Sequence, residues 1–390
     1  MKTRVGAPGA FARFDLTHVL VARKAFSKWS VGLLLLATLA TPAAAQTEDA
    51  YAPARAIVAD IGKIVTPNGV RETFEATLGG ARQVVNVRGA DRDNPILVFV
   101  HGGPGAVEMP FAWAFQRPWE DVFTVVQYDQ RGAGRSYPLN DPAALAPTMT
   151  PDRYRDDAIE LIELLQKRYG KKKVVLMGHS WGSIVGLSVA VKRPDLLYAY
   201  VGVGQGIDFR EGEKAGMAWT RAKALAAGDT DAVAAIDALA PYPAGEFTIA
   251  KADGWRKYAI PYGSLIAGKP DLQYYFRTPR LSPEYGPADV AAWGKGSEFS
   301  VTTLWPRLAD VSFRPVRKMD VPLVFLLGRH DYTVPSPVAA DWFAKVKAPS
   351  KKLIWLEHSA HMPMVEEPGH FFAALLTDVL PLTKDRKKTK

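Results

Sequence analysis

No cysteine occurs among the 390 residues of this chain. Its absence excludes disulfides, thiolate catalysis and a lipid-anchored cysteine at an export cleavage site. The fold must therefore rest on a buried core, and a chain of this length can build one. No basic patch is interleaved with aromatic residues, so nucleic acid is not an expected partner. No internal repeat appears, and the only biased tract is an alanine-rich segment over 215–240. What is present suits a globular protein: hydrophobic residues make up 48% and charged residues 23%.

The first 45 residues stand apart from the rest. Arg4, Arg13, Arg23, Lys24 and Lys28 form a basic region, residues 31–40 a short apolar run, and Thr41-Pro-Ala-Ala-Ala45 an A-x-A site before Gln46. This is the layout of a secretory signal peptide. The apolar run is too short to span a bilayer comfortably, so cleavage after Ala45 is expected rather than anchoring. The protein would then meet the membrane only transiently and work in the periplasm or outside the cell. The formal net charge is +9, of which the leader, with six Lys/Arg and one Asp, holds +5. Residues 383–390 form a second basic cluster, read as a solvated tail.

Residues 46–69 show little pattern and read as a linker. Residues 70–78 and 82–88 alternate apolar and polar around Gly79-Gly80, a hairpin signal. Strands are expected at 95–100, 123–128, 174–177, 198–203, 321–328 and 352–356, with helices at 152–169 and 368–380. Strands alternating with helices indicate parallel βαβ units. The rhythm breaks after Gly204 and resumes near residue 319. The expected organisation is thus an α/β core, mostly parallel, over 70–204 and 319–382. A helical cap, rich in Trp and Tyr, is inserted over 205–318.

The chemistry centres on Gly178-His179-Ser180-Trp181-Gly182, a G-x-S-x-G between an apolar strand and an apolar helix. The turn would strain Ser180 and project its hydroxyl at the carboxyl edge of the sheet. The glycines would avoid Cβ clashes with neighbouring backbone. A serine hydroxyl needs a base, and the base needs an orienting acid. Asp331 follows the strand at 321–328, and His361 follows the strand at 352–356, in the order nucleophile, acid, base. His358 competes with His361, but His361 lies deeper in its loop, after the small residues Ser359 and Ala360. Backbone N–H groups of Trp181 and Gly103, the latter in His101-Gly-Gly-Pro-Gly105, are the expected oxyanion donors.

Together with residues 128–136 (YDQRGAGRS), 328–331 (GRHD) and 359–363 (SAHMP), these motifs resemble the proline iminopeptidase family of α/β hydrolases. The resemblance covers about 70–378, through the motifs more than the cap. It implies an α/β-hydrolase fold and release of an N-terminal residue, preferably proline, from a peptide. It also implies cap acids that hold the substrate's free amine. Glu211 is the first candidate for that role and Glu213 the second.

The expected activity is acyl transfer to Ser180, with a small molecule or short peptide as substrate and no cofactor or metal. The same triad would serve an esterase, lactonase or amidase; a hydrolase-like binding protein with a silent site is the rival of another class. The leader generates a first prediction. Intact-mass measurement of exported protein should show Gln46 as the first residue; recovery of only the full-length chain in the cytosol would refute cleavage.

Overall fold

Helix α1 (Ala52–Ile61) opens the part of the chain described by the computed structural model, residues 49–268 and 273–384. The expected signal peptide and its cleavage site lie outside the described residues, as do residues 385–390 of the basic tail. α1 corrects the expectation of a patternless linker over 46–69. It buries none of its side chains, and Ile57 and Ile61 stand exposed. Ala54, Ile57, Val58 and Ile61 recur at helical spacing, so the sequence did carry an apolar stripe, but the structure leaves that face unburied.

The hairpin follows: β1 (Val70–Leu78) pairs antiparallel with β2 (Ala81–Gly89), Val70 opposite Gly89 and Leu78 opposite Ala81. Six more strands complete one sheet: β3 (Ile96–Val100), β4 (Thr124–Asp129), β5 (Val174–His179), β6 (Leu197–Val203), β7 (Leu323–Gly328) and β8 (Lys351–Leu356). Their order is β1-β2-β4-β3-β5-β6-β7-β8; β2 meets β4 antiparallel and every pair from β4 to β8 is parallel. β3, β4, β5 and β7 are buried at every residue, so both faces of the sheet need cover.

Helices α2 (Pro142–Leu145), α3 (Pro151–Tyr169) and α4 (Trp181–Lys192) lie between β4 and β6. α3 starts where Thr150 Oγ1 accepts the N–H of Arg153 at 3.2 Å, with Pro151 in the first turn. Its Leu161, Ile162 and Leu165 pack with Ile184 and Leu187 of α4 against Val98, Val100 and Leu176. Leu97, Phe99 and Met177 point to the other face, where they meet Trp119 and Phe371.

Between β6 and β7 stands the cap: α5 (Phe209–Ala227), α6 (Thr230–Asp237), α7 (Ile249–Ala259), α8 (Gln273–Arg277) and α9 (Pro287–Leu304). Its two ends pair, Phe313 N–H donating to Ile207 O at 2.7 Å and Phe209 N–H to Val311 O at 3.1 Å. Helix α9 lies directly on the core loops, with Ser300 Oγ donating to Gly132 O at 2.8 Å. After β7 come α10 (Ser336–Lys345), α11 (Pro363–Glu366) and α12 (Pro368–Ala374), whose Phe371 stacks on Trp119 at 5.2 Å. No helix among the described residues is long and apolar enough to cross a membrane.

Arg131 of the Asp-Gln-Arg-Gly motif ties the hairpin to α3. It is fully buried and forks onto Asp157, Nε to Oδ2 at 2.5 Å and Nη2 to Oδ1 at 2.9 Å. Its Nη2 also donates to the carbonyls of Leu78 and Gly79, at 3.2 Å each. Removing one partner of a buried pair leaves an uncompensated charge. Asp157→Ala should therefore lower unfolding stability in urea by about 3–5 kcal/mol. A loss below about 1 kcal/mol, the worth of an exposed pair, would mean that Arg131 does not depend on Asp157.

Candidate active site

β5 ends at His179 and α4 begins at Trp181, so Ser180 alone makes the turn. Its φ of 54° is the one positive value at a non-glycine residue among those described. Such a conformation costs of order 1–3 kcal/mol and persists only where its surroundings enforce it. Here Ser180 N–H donates to Val203 O at 3.0 Å, and Ser183 returns its N–H and hydroxyl to Ser180 O at 2.9 and 2.6 Å. The flanking glycines permit close approach: a Cβ on Gly178 would lie 2.3 Å from Gly182 O, and one on Gly182 only 2.0 Å from Val100 O.

Asp331 lies in the turn after β7 and is fully buried. Its Oδ1 accepts the N–H of Val334 at 2.9 Å, and its Oδ2 lies 2.8 Å from His361 Nδ1. His361 is 4% exposed, whereas His358 and His330 are on the surface. Of the two histidines in the loop after β8, the structure thus brings His361 to Asp331. The end of β6 packs against both groups: a Cβ on Gly204 would lie 2.9 Å from the His361 ring and 3.3 Å from Asp331 Oδ2. Burial holds His361 below the usual histidine pKa, although Asp331 pulls upward. An imidazole that donates from Nδ1 to a carboxylate leaves Nε2 free to accept a proton.

Two acids that the sequence reading passed over shape the His361 loop. Glu366 accepts the N–H groups of Ala360 at 3.0 Å, Met362 at 3.0 Å and Ala267 at 2.6 Å. Glu367 accepts the N–H of His358 at 2.9 Å and the hydroxyl of Ser359 at 2.6 Å. His361 N–H itself donates to Leu265 O of the cap at 3.0 Å. In sequence these glutamates read as ordinary helix-turn acids. Their one signal is position, just past a loop whose N–H groups need acceptors.

The His101–Gly105 strap lies against the nucleophile, where a Cβ on Gly102 would be 2.9 Å from Ser180 Cβ. Gly102 N–H is committed to Glu108, at 3.1 and 3.3 Å from its two oxygens. Gly103 follows with φ 109°, a value that favours glycine. Gln130 locks the strap: its N–H donates to His101 Nε2 at 3.0 Å and its amide to His101 O at 2.8 Å. Trp181 Nε1 donates in turn to Gln130 Oε1 at 3.0 Å. As the first residue of α4, Trp181 has a backbone N–H with no intrahelical acceptor.

Both cap acids have partners in the structure. Arg314 pairs with the Glu211 carboxylate, Nε to Oε2 at 2.7 Å, and also holds Asp341 of α10. In the first turn of α5, Glu211 thus belongs to an ion-pair network with Arg314 and Asp341. Glu213 is buried and faces inward, but its carboxylate is already filled. It accepts from Tyr242 at 2.6 Å, from Trp255 Nε1 at 2.8 Å and from Arg256. Arg256 stacks on Trp255 and Trp305 at 4.8 and 5.3 Å and donates to Thr333 O, in the Asp331 loop, at 3.1 Å. One helical turn earlier, Asp253 is a half-buried carboxylate with no hydrogen bond to any described residue, and burial lifts its pKa to about 6.

Among the described residues no group of three or more His, Asp or Glu is arranged to hold a metal ion. The strained serine, the buried Asp331–His361 contact and the glycine strap lie together at the carboxyl edge of the sheet. The model of the alpha/beta hydrolase family matches residues 97–375. The chain is 30% identical to the "Probable aminopeptidase YbaC" of Bacillus subtilis over 306 residues, 76% of this chain and 92% of that one. It is 26% identical to a proline iminopeptidase of Clostridium botulinum, across 72% of this chain and 87% of the other. The crystal structure of a Mycobacterium smegmatis proline iminopeptidase superposes with a TM-score of 0.57 at 20% identity, covering 78% of this chain and 96% of that one. The protein is a hydrolase enzyme of the alpha/beta hydrolase family, with proline iminopeptidases and aminopeptidases among its relatives.

Proposed function

We propose that the protein is a serine aminopeptidase that removes the N-terminal residue, proline or another small one, from short peptides after export to the periplasm or beyond. The observation that carries the mechanism is the buried 2.8 Å contact between Asp331 and His361, beside the strained Ser180 turn. In this reading His361 Nε2 takes the proton of Ser180 as its oxygen attacks the scissile carbonyl. Asp331 keeps the imidazole in the Nδ1–H form and steadies the imidazolium. The N–H groups of Gly103 and Trp181 receive the oxyanion. His361 then protonates the leaving amine, and water, activated by the same base, releases the acyl group. The aminopeptidase part of the reading is supported by the relatives, which carry that name over most of their length.

An aminopeptidase must hold a terminal ammonium, and an ammonium in a desolvated site needs a carboxylate. Glu211 and Glu213 are both taken by arginines. Asp253, half-buried beside Arg256 and without a hydrogen bond to any described residue, is the cap acid to which we assign that role in this reading. A second reading has a specific observation behind it. With both expected acids neutralised, the cap suits an esterase or amidase that acts on an uncharged substrate.

Two experiments test these readings. Turnover should fall by about 10⁴-fold or more in Ser180→Ala and in His361→Ala, with the double variant little worse, because the triad acts as a unit, and Ser180→Ala should lose fluorophosphonate labelling altogether. His358→Ala should label like the wild type; a dead His358→Ala beside an active His361→Ala would reverse the assignment. For substrate class, Asp253→Asn should lower kcat/KM on prolyl arylamides by about 1.5–3 kcal/mol while sparing a neutral short-chain ester. The wild-type preference for arylamide over ester should also weaken as pH falls through about 6, because protonated Asp253 no longer attracts an ammonium. Ester turnover with no arylamide turnover in the wild type would replace the aminopeptidase reading with the second one.

A further inference from the structure

Behind the nucleophile, outside the triad, lies a buried pair whose groups the mechanism above does not use. Glu108 is 3% exposed and His179 2%. His179 Nδ1 lies 2.5 Å from Glu108 Oε1, and its Nε2 lies 2.8 Å from the carbonyl oxygen of His361. Both ring nitrogens therefore face oxygen. A carbonyl can only accept, so Nε2 carries a proton. A second proton lies in the contact with Glu108, whose carboxylate also accepts Gly102 N–H at 3.1 Å. Both Glu108 oxygens face nitrogen donors, at Gly102 N–H and His179 Nδ1, so the geometry suits an imidazolium against a carboxylate.

We propose that Glu108 and His179 are positioning residues, a buried ion pair that clamps the Gly102–Gly103 strap to the His361 loop and sets a fixed positive charge beside the base. The proposal rests on the serine-hydrolase reading and deepens it. Three segments meet at one imidazole: the strap through Glu108, the nucleophile turn through residue 179 itself, and the base loop through His361 O. The spacing of oxyanion donors, nucleophile and base is thereby held by one unit.

The charge has its own effect. The His179 and His361 rings are 4.8 Å apart between centroids. A cation at that distance opposes a second proton on His361. The groups that act on His361 are Asp331, which favours its protonation, and His179 and Arg256, which oppose it, as does burial. Those that act on His179 are Glu108 and Asp331; burial opposes its charge, but these acids and its hydrogen bonds carry its pKa above the usual value. His101, its other histidine neighbour, is held neutral by burial and accepts a backbone N–H at Nε2. A purely structural clamp would require no charge, since a protonated Glu108 could donate to Nδ1 of a neutral imidazole.

The test is the pH dependence of fluorophosphonate labelling on the mature protein, between about pH 4 and 9, which requires no knowledge of the substrate. In Glu108→Gln the imidazole loses the partner that holds its proton, and in His179→Gln the charge is gone. In both, His361 should bind its proton more readily, and the acid limb should move to higher pH by about 0.5–1 unit. The double variant should move it no further, because both changes remove the same charge. Glu108→Asp, which keeps the charge, should retain the wild-type midpoint even with a lower plateau. Lower plateaus with unmoved midpoints in both Gln variants would overturn the proposal. If those variants do not fold, ¹⁵N-histidine spectra of the wild type decide: an imidazolium at residue 179 at neutral pH supports the pair, and a neutral tautomer overturns it. A wild type that does not label at any pH would instead refute the serine-hydrolase reading.

Discussion

The backbone contact at Gly182 is the constraint from which the rest of the site follows. Helix α4 can start one residue after β5 only because its first turn presses against the end of β3, where a Cβ would come within 2.0 Å of Val100 O. That approach forces Ser180 into its positive φ and presents the residue at the carboxyl edge of the sheet. It also places the strap that leaves β3 beside the nucleophile. A parallel sheet gathers the ends of its strands on one edge, so the loops after β3, β5, β7 and β8 meet there without any long connection.

Around this edge the structure spends buried polar groups freely, and nearly all are paired. Arg131 joins hairpin and helix through Asp157, Gln130 joins strap and α4 through Trp181, and Glu366 and Glu367 hold the base loop. Among the described residues seven buried side-chain atoms have no partner, and one of them belongs to a carboxylate. Asp129 is fully buried, accepts from Arg135 N–H at 2.7 Å and from Tyr285 of the cap, yet its Oδ1 has no partner. Burial lifts its pKa to about 7. The Asp-Gln-Arg-Gly motif therefore serves as the joint between core and cap: each of its three polar side chains braces a different neighbour.

Much of this was legible beforehand. The strands were visible as apolar runs because burial on both faces requires them to be apolar, and the triad loops were visible because each follows such a run. Glycines could be read for the same reason: a close approach excludes every other residue. What stayed hidden were contacts between side chains distant in sequence. Glu211 looked like a free acid at a helix start because nothing local reveals Arg314, 103 residues later. Glu108 carried no motif, since its partner His179 occupies the variable position of the nucleophile turn. Helix α1 shows helical spacing at Ala54, Ile57, Val58 and Ile61, a pattern the reading of a linker passed over.

The bond between His361 N–H and Leu265 O has a consequence for how such a protein can change. The cap steadies the base loop through a main-chain oxygen, which every amino acid supplies alike. Side chains in that stretch of the cap can therefore be exchanged without loosening the base, provided the backbone keeps its path. The identity of the cap's side chains there and the position of the His361 loop are in this sense separable, because only the course of the cap's chain enters the bond. A lineage, or an engineer, can revise the first while leaving the second intact.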